Sequence, residues 1–213
     1  HNVISALPEV NEEEKKKSVG DIFSKSLAMI TILVTAAYFL HITTFYFILK
    51  WTPKIVADMG FEAAAAGGVL NWANIGGVLG GITFGVLTAR FGLKPLTIGI
   101  LFLTTIGVAL FGRTPEDLGR MELLAAFAGF FGNAGVSGLY SIVAYSFPTH
   151  VRATGTGFVI GVGRAGAVLS PILAGVMFDA GATLPTVGLV MGSGSAIAAI
   201  VLIFLKLQTN DPT

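Results

Sequence analysis

The chain has 213 residues, of which 54 % are hydrophobic and 12 % charged, with a net charge of +1. Soluble domains carry about 25 % charged residues, so this composition excludes a water-soluble globular domain and points to a bilayer. There is no cysteine, and the three histidines (His1, His41, His150) lie far apart. A disulfide framework and a thiolate metal site are therefore excluded, and no metal or other cofactor is expected.

Residues 1–25 are polar and contain "NEEEKKK", with no apolar run to make a signal peptide. Lys15, Lys16 and Lys17 read as a solvated linker, and a start at His1 without Met predicts a segment of a longer polypeptide. A membrane-spanning helix needs about 20 mostly apolar residues. Six stretches qualify: 27–49, 63–87, 96–111, 123–145, 153–178 and 184–205. Between them "KWTPKIVADMGFE", "ARFGLKP", "GRTPEDLGR", "SFPTHVR" and "DAGATLP" read as turns, punctuated by Pro and Gly. The expected organisation is a linker over 1–25, a six-helix domain over 26–206 and a tail over 207–213.

Six spans put both ends on one side. That side carries eight cations: Lys15, Lys16, Lys17, Lys25, Arg90, Lys94, Arg152 and Lys206. The other carries four, Lys50, Lys54, Arg113 and Arg120. Excess Lys and Arg marks the cytoplasmic face, so both termini are expected in the cytoplasm and the chain in the inner, cytoplasmic membrane.

An internal repeat appears at an offset of 90 residues, where "NIGGVLGGITFGV" lies over "RAGAVLSPILAGV". Gly76/Gly166, Val78/Val168, Leu79/Leu169, Ile82/Ile172, Gly85/Gly175 and Val86/Val176 are identical, and Asn74 falls opposite Arg164. Two related units of three helices must run in opposite senses through the membrane. Inverted repeats are a transporter signature, with substrate bound near the midplane. The fold class is thus an all-α membrane protein of six helices in two inverted three-helix repeats. The glycines of the second and fourth spans are small-residue contacts for close helix packing.

A few polar side chains stand inside these spans. Arg164 sits mid-span, where ionisable groups are costly and face a partner or a polar cavity. None of the twelve acids lies mid-span, so its expected partner is an acid outside the chain, a substrate anion, or carbonyls and water. A guanidinium fork matches a carboxylate through two parallel hydrogen bonds. His41 shares a helix face with Tyr38 and Phe45, and a histidine can titrate near neutral pH, which suits proton coupling or a hydrogen bond to an aromatic acid. Asn71 and Asn74 share a face of the second span, and Asn133, Ser137 and Tyr140 form a stripe on the fourth. They read as interhelical glue or as the lining of a polar cavity, with Tyr38 and Tyr140 able to stack on an aromatic ligand. Trp51 and Tyr46 read as interface anchors.

Two motifs carry a resemblance. "FPTHVRATGTG" followed by "FVIGVGRAGAVLSPILAG" resembles the loop and eleventh helix of major facilitator superfamily transporters, in particular the aromatic acid:proton symporter family. There an arginine in the loop recurs with another inside the helix, here Arg152 and Arg164. "GVLTARFGLKP" resembles the superfamily's loop motif between the eighth and ninth helices: Gly85, Arg90 and Gly92 match, Ala89 replaces the motif's acid, and Lys94 falls one step late. The departure at Ala89 puts the cytoplasmic latch of this half in doubt.

The resemblance implies helices seven to twelve of a twelve-helix transporter, with an N-terminal six-helix half as partner. The implied function is proton symport of a small organic anion, an aromatic carboxylate, by alternating access. Expected substrate-binding residues are Arg164, Asn133, Tyr140, Asn74, Asn71 and Tyr38; His41, Arg152 and Arg90 are expected in coupling or gating. Partners are then the anion, a proton, the missing half and lipid, with no nucleic acid and no enzymatic chemistry. Alternatives are a relative carrying another carboxylate or small metabolite, or a six-helix channel or structural membrane protein.

Overall fold

The computed structural model describes residues 19–205; Lys15, Lys16, Lys17, Lys206 and the remaining residues at both ends lie outside the described residues. The described residues form helices joined by short turns, without strands. In lipid, a chain must satisfy its backbone groups internally, which a helix does. The helices are α1 (Ala28–Asp58), α2 (Ala63–Phe91), α3 (Leu93–Phe111), α4 (Leu118–Ser146), α5 (Arg152–Gly163), α6 (Ala165–Asp179) and α7 (Leu184–Phe204). α5 and α6 together make one span, so six spans are long and apolar enough to cross a membrane.

The structure corrects several expected boundaries. "KWTPKIVAD" is helix, not turn, because α1 runs through Pro53 to Asp58. Pro53 removes one amide donor, and the continuation buries Ile55 and Val56 in the core. The turn expected around Gly92 shrinks to that residue, whose φ of 78° suits glycine. α4 starts at Leu118 because the Asp117 carboxylate accepts the Arg120 N–H at 2.8 Å. Asp117→Ala is expected to lower thermal stability by about 1 kcal/mol, the usual worth of such a cap. Within the expected linker, Val19–Phe23 forms a 3-10 turn. Ile22 is buried there, its carbonyl accepts the Thr31 hydroxyl at 2.7 Å, and Phe23 meets Phe158 edge-on at 5.2 Å.

Packing has the exchange symmetry that the repeat implies. α2 lies on α4 as α5 and α6 lie on α1; α3 lies on α4 as α7 lies on α1; and α3 meets α7 across the centre. Glycines make the closest approaches. A Cβ at Gly76 would land on the Ala126 carbonyl, and one at the repeat-equivalent Gly166 on the Phe39 carbonyl. Gly80 against Phe130 and Gly129 against Ala73 complete the α2–α4 seam. Three further α4 glycines each receive a side chain: Phe45 over Gly132, His41 over Gly135, Thr97 over Gly138. The repeat's identical apolar pairs Val78/Val168, Ile82/Ile172 and Val86/Val176 are all exposed. The Trp51 indole lies tilted against Phe178, ring centres 4.8 Å apart.

Candidate functional site

Arg164 stands at a break in a span, not within a continuous helix. Its N–H still reaches the Ile160 carbonyl at 3.0 Å, but the Ala167 N–H returns to the Arg164 carbonyl three residues back, at 2.9 Å. Helical pairing is thus interrupted at this residue, which closes α5 and opens α6. The guanidinium is exposed on the surface of the six-helix unit. The Tyr140 hydroxyl of α4 and the Tyr38 hydroxyl of α1 stand near enough to interact with its charge. Those phenols pair with each other, Tyr38 donating to Tyr140 at 3.2 Å with ring centres 5.6 Å apart. Among the described residues, no carboxylate forms an ion pair with Arg164. The expected partners do not include neutral phenols, and two phenols are what stand near this charge.

The other expected binding residues divide. Asn133 spends its amide on the Gly77 carbonyl at 2.7 Å, tying α4 to α2. Ser137 bonds back to the Asn133 carbonyl at 3.1 Å, so the polar stripe on α4 runs from the α2 seam to Tyr140. Asn74 is exposed and bonds its own helix at the Leu70 carbonyl, at 3.0 Å. Asn71 is exposed too. Both sit on α2, which does not touch α5 or α6, so the structure does not bring them to Arg164.

His41 is fully buried. Its Nε2 lies 2.9 Å from the Gly132 carbonyl and its Nδ1 2.8 Å from the Ser195 hydroxyl. A carbonyl only accepts, so Nε2 carries the proton of the neutral ring, and Nδ1 accepts from Ser195. The Phe45 ring stacks parallel at 6.4 Å. Nearby hydroxyls reach the same stretch of α7: Thr44 donates to the Met191 carbonyl at 2.6 Å and Thr105 to the Gly192 carbonyl at 3.0 Å. Sequence reasoning missed Ser195, Thr44 and Thr105, because isolated hydroxyls in apolar helices carry no periodic signal.

The loop arginines hold backbone or lie free. Arg152 Nε donates to the Phe147 carbonyl at 3.2 Å, bracing the turn between α4 and α5. Arg90 is exposed at the end of α2, its guanidinium 5.8 Å from the Phe91 ring. Lys94 caps α7, donating to the carbonyls of Leu205 at 2.6 Å and Ile203 at 3.2 Å. Cations at helix C-termini are stabilising, so the motif's late basic residue serves a neighbouring helix.

Exchange-related triplets of spanning helices with an arginine at a helix break define a class of protein, the secondary transporters built from inverted repeats. The Major Facilitator Superfamily model matches residues 12–213, and the chain belongs to that family. Its members are membrane transporters, not enzymes.

The chain is 30 % identical to the 3-(3-hydroxy-phenyl)propionate transporter of Escherichia coli, over 90 % of this chain and 48 % of the relative. It is 29 % identical to the benzoate transport protein of Acinetobacter baylyi, over 81 % and 37 %. It is also 29 % identical to the 4-hydroxybenzoate transporter PcaK of Pseudomonas aeruginosa, over 92 % and 44 %. The chain therefore spans less than half the length of each of these relatives.

Proposed function

We propose that this chain works as the C-terminal six-helix half of a proton-coupled transporter for small organic anions, with an aromatic carboxylate as substrate. It would lie in the cytoplasmic membrane with both termini inside. The observation that carries the reading is the exposed Arg164 guanidinium at the α5–α6 break, flanked by two phenols and no acid. The relatives are named as transporters of ring-bearing carboxylates, which supports the substrate class.

In this reading Arg164 grips the carboxylate through its fork. Tyr140, the more open of the two phenols, offers a hydroxyl and a ring face beside it. Asn133, Asn71 and Asn74 line the polar face that a substrate crosses; Arg152 holds the cytoplasmic turn before α5 during gating, and the exposed Arg90 at the end of α2 is free for a gating contact. Alternating access is the rocking of this half against a first six-helix half. The direct test is uptake of a labelled aromatic carboxylate into vesicles holding the complete two-half transporter. Uptake is expected to follow an imposed inward proton gradient and to collapse with a protonophore; uptake indifferent to the gradient overturns symport.

His41 is the one histidine inside a span of this chain and is assigned to coupling or gating. Protonation at Nδ1 turns that atom from acceptor to donor and forces the Ser195 hydroxyl to reverse. The reversed hydroxyl finds no free acceptor one turn back, since the Met191 carbonyl already takes the Thr44 hydroxyl at 2.6 Å besides its helical amide. A proton on His41 therefore loosens α1 from α7. The groups facing the ring are Ser195, the Gly132 carbonyl, Gly135 and Phe45, none of them charged. His41→Gln keeps a donor and an acceptor but does not titrate. Its uptake is expected to lose part of the wild-type pH dependence; an unchanged pH profile removes His41 from the coupling scheme.

A further inference from the structure

Tyr38 and Tyr140 differ in what they can reach. Tyr38 is 0 % exposed and Tyr140 36 %, so only Tyr140 can meet a ligand. A phenol has one proton to donate and lone pairs to accept with. The Tyr38 proton is committed to the Tyr140 oxygen at 3.2 Å. Arg164, a donor without acceptors, carries its charge near the same pair of hydroxyls. With its oxygen taken by the Tyr38 hydroxyl and the Arg164 charge nearby, Tyr140 keeps its own O–H to offer, and that proton has no acceptor among the described residues.

The Tyr38 ring is also fixed in place. Gly163, the residue before Arg164, lies flat against it: a Cβ there would collide with Cδ1 and come within 2.9 Å of Cε1. The end of α5, and hence the root of the Arg164 side chain, rests on this buried ring. One side chain on α1 thereby sets both the hydroxyl direction of Tyr140 on α4 and the position of Arg164 at the α5–α6 break.

We infer that Tyr38 is a positioning residue for the anion. Without touching the ligand, it turns the Tyr140 O–H and the Arg164 fork toward one carboxylate, which is then held by donors from two helices. A carboxylate accepts at both oxygens and donates nothing, which matches this all-donor arrangement. The inference rests on the reading of Arg164 as the carboxylate site.

Tyr38→Phe keeps the ring on Gly163 and removes only the hydroxyl. In uptake by the complete transporter, it is expected to raise KM for an aromatic carboxylate about five- to tenfold, with Vmax unchanged. Tyr140→Phe is expected to raise KM at least as much, and the double variant no further than Tyr140→Phe alone, because the two hydroxyls act through one donor. An unchanged KM in Tyr38→Phe, or effects that multiply in the double variant, overturns the inference. Tyr140→Phe decides it even where Tyr38→Phe does not fold: an unchanged KM there is equally fatal. Arg164→Lys in the same assay separates the two claims. Wild-type KM in Arg164→Ala and Arg164→Lys alike sinks the carboxylate site itself. Lost affinity in Arg164→Lys with an unaffected Tyr38→Phe sinks only the positioning role.

Discussion

Arg164→Ala in the complete transporter is expected to weaken equilibrium binding of an aromatic carboxylate at least about tenfold, the scale of one lost charged hydrogen bond. Arg164→Lys is expected to recover part of that loss but not all. Lysine restores the charge, yet an ammonium is a point donor and cannot present the parallel pair of N–H groups that a carboxylate takes from guanidinium. The geometry adds a reason of its own. Arg164 sits where α5 ends and α6 begins, and its position depends on Gly163 lying on Tyr38. A shorter or differently branched side chain leaves that frame intact, so these variants report on ligand contact and not on folding. Affinity unchanged in both variants refutes the assignment.

Gly80→Val is expected to have the largest effect on folding. A Cβ at Gly80 would land on the Phe130 carbonyl, and this is backbone meeting backbone. No rotamer change relieves such a clash, so α2 must move off α4, and Gly76 and Gly129 lose the same seam. Overpacking commonly costs about 1–3 kcal/mol, and a branched residue on a backbone contact belongs at or above that upper end. Loss of monodisperse protein in detergent, or a large fall in Tm, is the readout. Gly99→Ala is the control, because nothing lies within 4 Å of a Cβ there, and alanine improves helix propensity. Equal damage from both substitutions would mean that the α2–α4 seam is not the special contact described.

The six spans, their order and the repeat were legible because lipid demands long apolar helices and because the repeat left identical residues at one offset. Structure explains which identities persisted. Gly76 and Gly166 meet carbonyls on the helices they pack against, while Val78, Val168, Ile82 and Ile172 coat the outside. The ends of helices were less legible. Pro53 reads as a stop, yet one missing amide is outweighed by the burial of Ile55 and Val56 beyond it.

The break at Arg164 was not legible at all. "FVIGVGRAGAVLSP" is apolar or small nearly throughout, and its proline, Pro171, lies inside α6, not at the break. Close tertiary approaches flank the break, of Gly163 to Tyr38 and of Gly166 to Phe39. The phenol pair was likewise hidden. Tyr38 and Tyr140 belong to different helices, and counting acids finds carboxylates but not hydroxyls. Arg164 was identified as anomalous from composition, whereas its neighbourhood depends on how α1, α4 and α5 converge.

Displacement of a bound, labelled aromatic carboxylate from the complete transporter tests the central claim most directly, with benzoate and its near-isosteric carboxamide as competitors. In the wild type, benzoate is expected to compete at least about tenfold better than benzamide, since the amide exchanges an acceptor oxygen for a donor facing donors. In Arg164→Gln that preference is expected to shrink to near parity. The same carboxylate preference in both proteins would contradict the account.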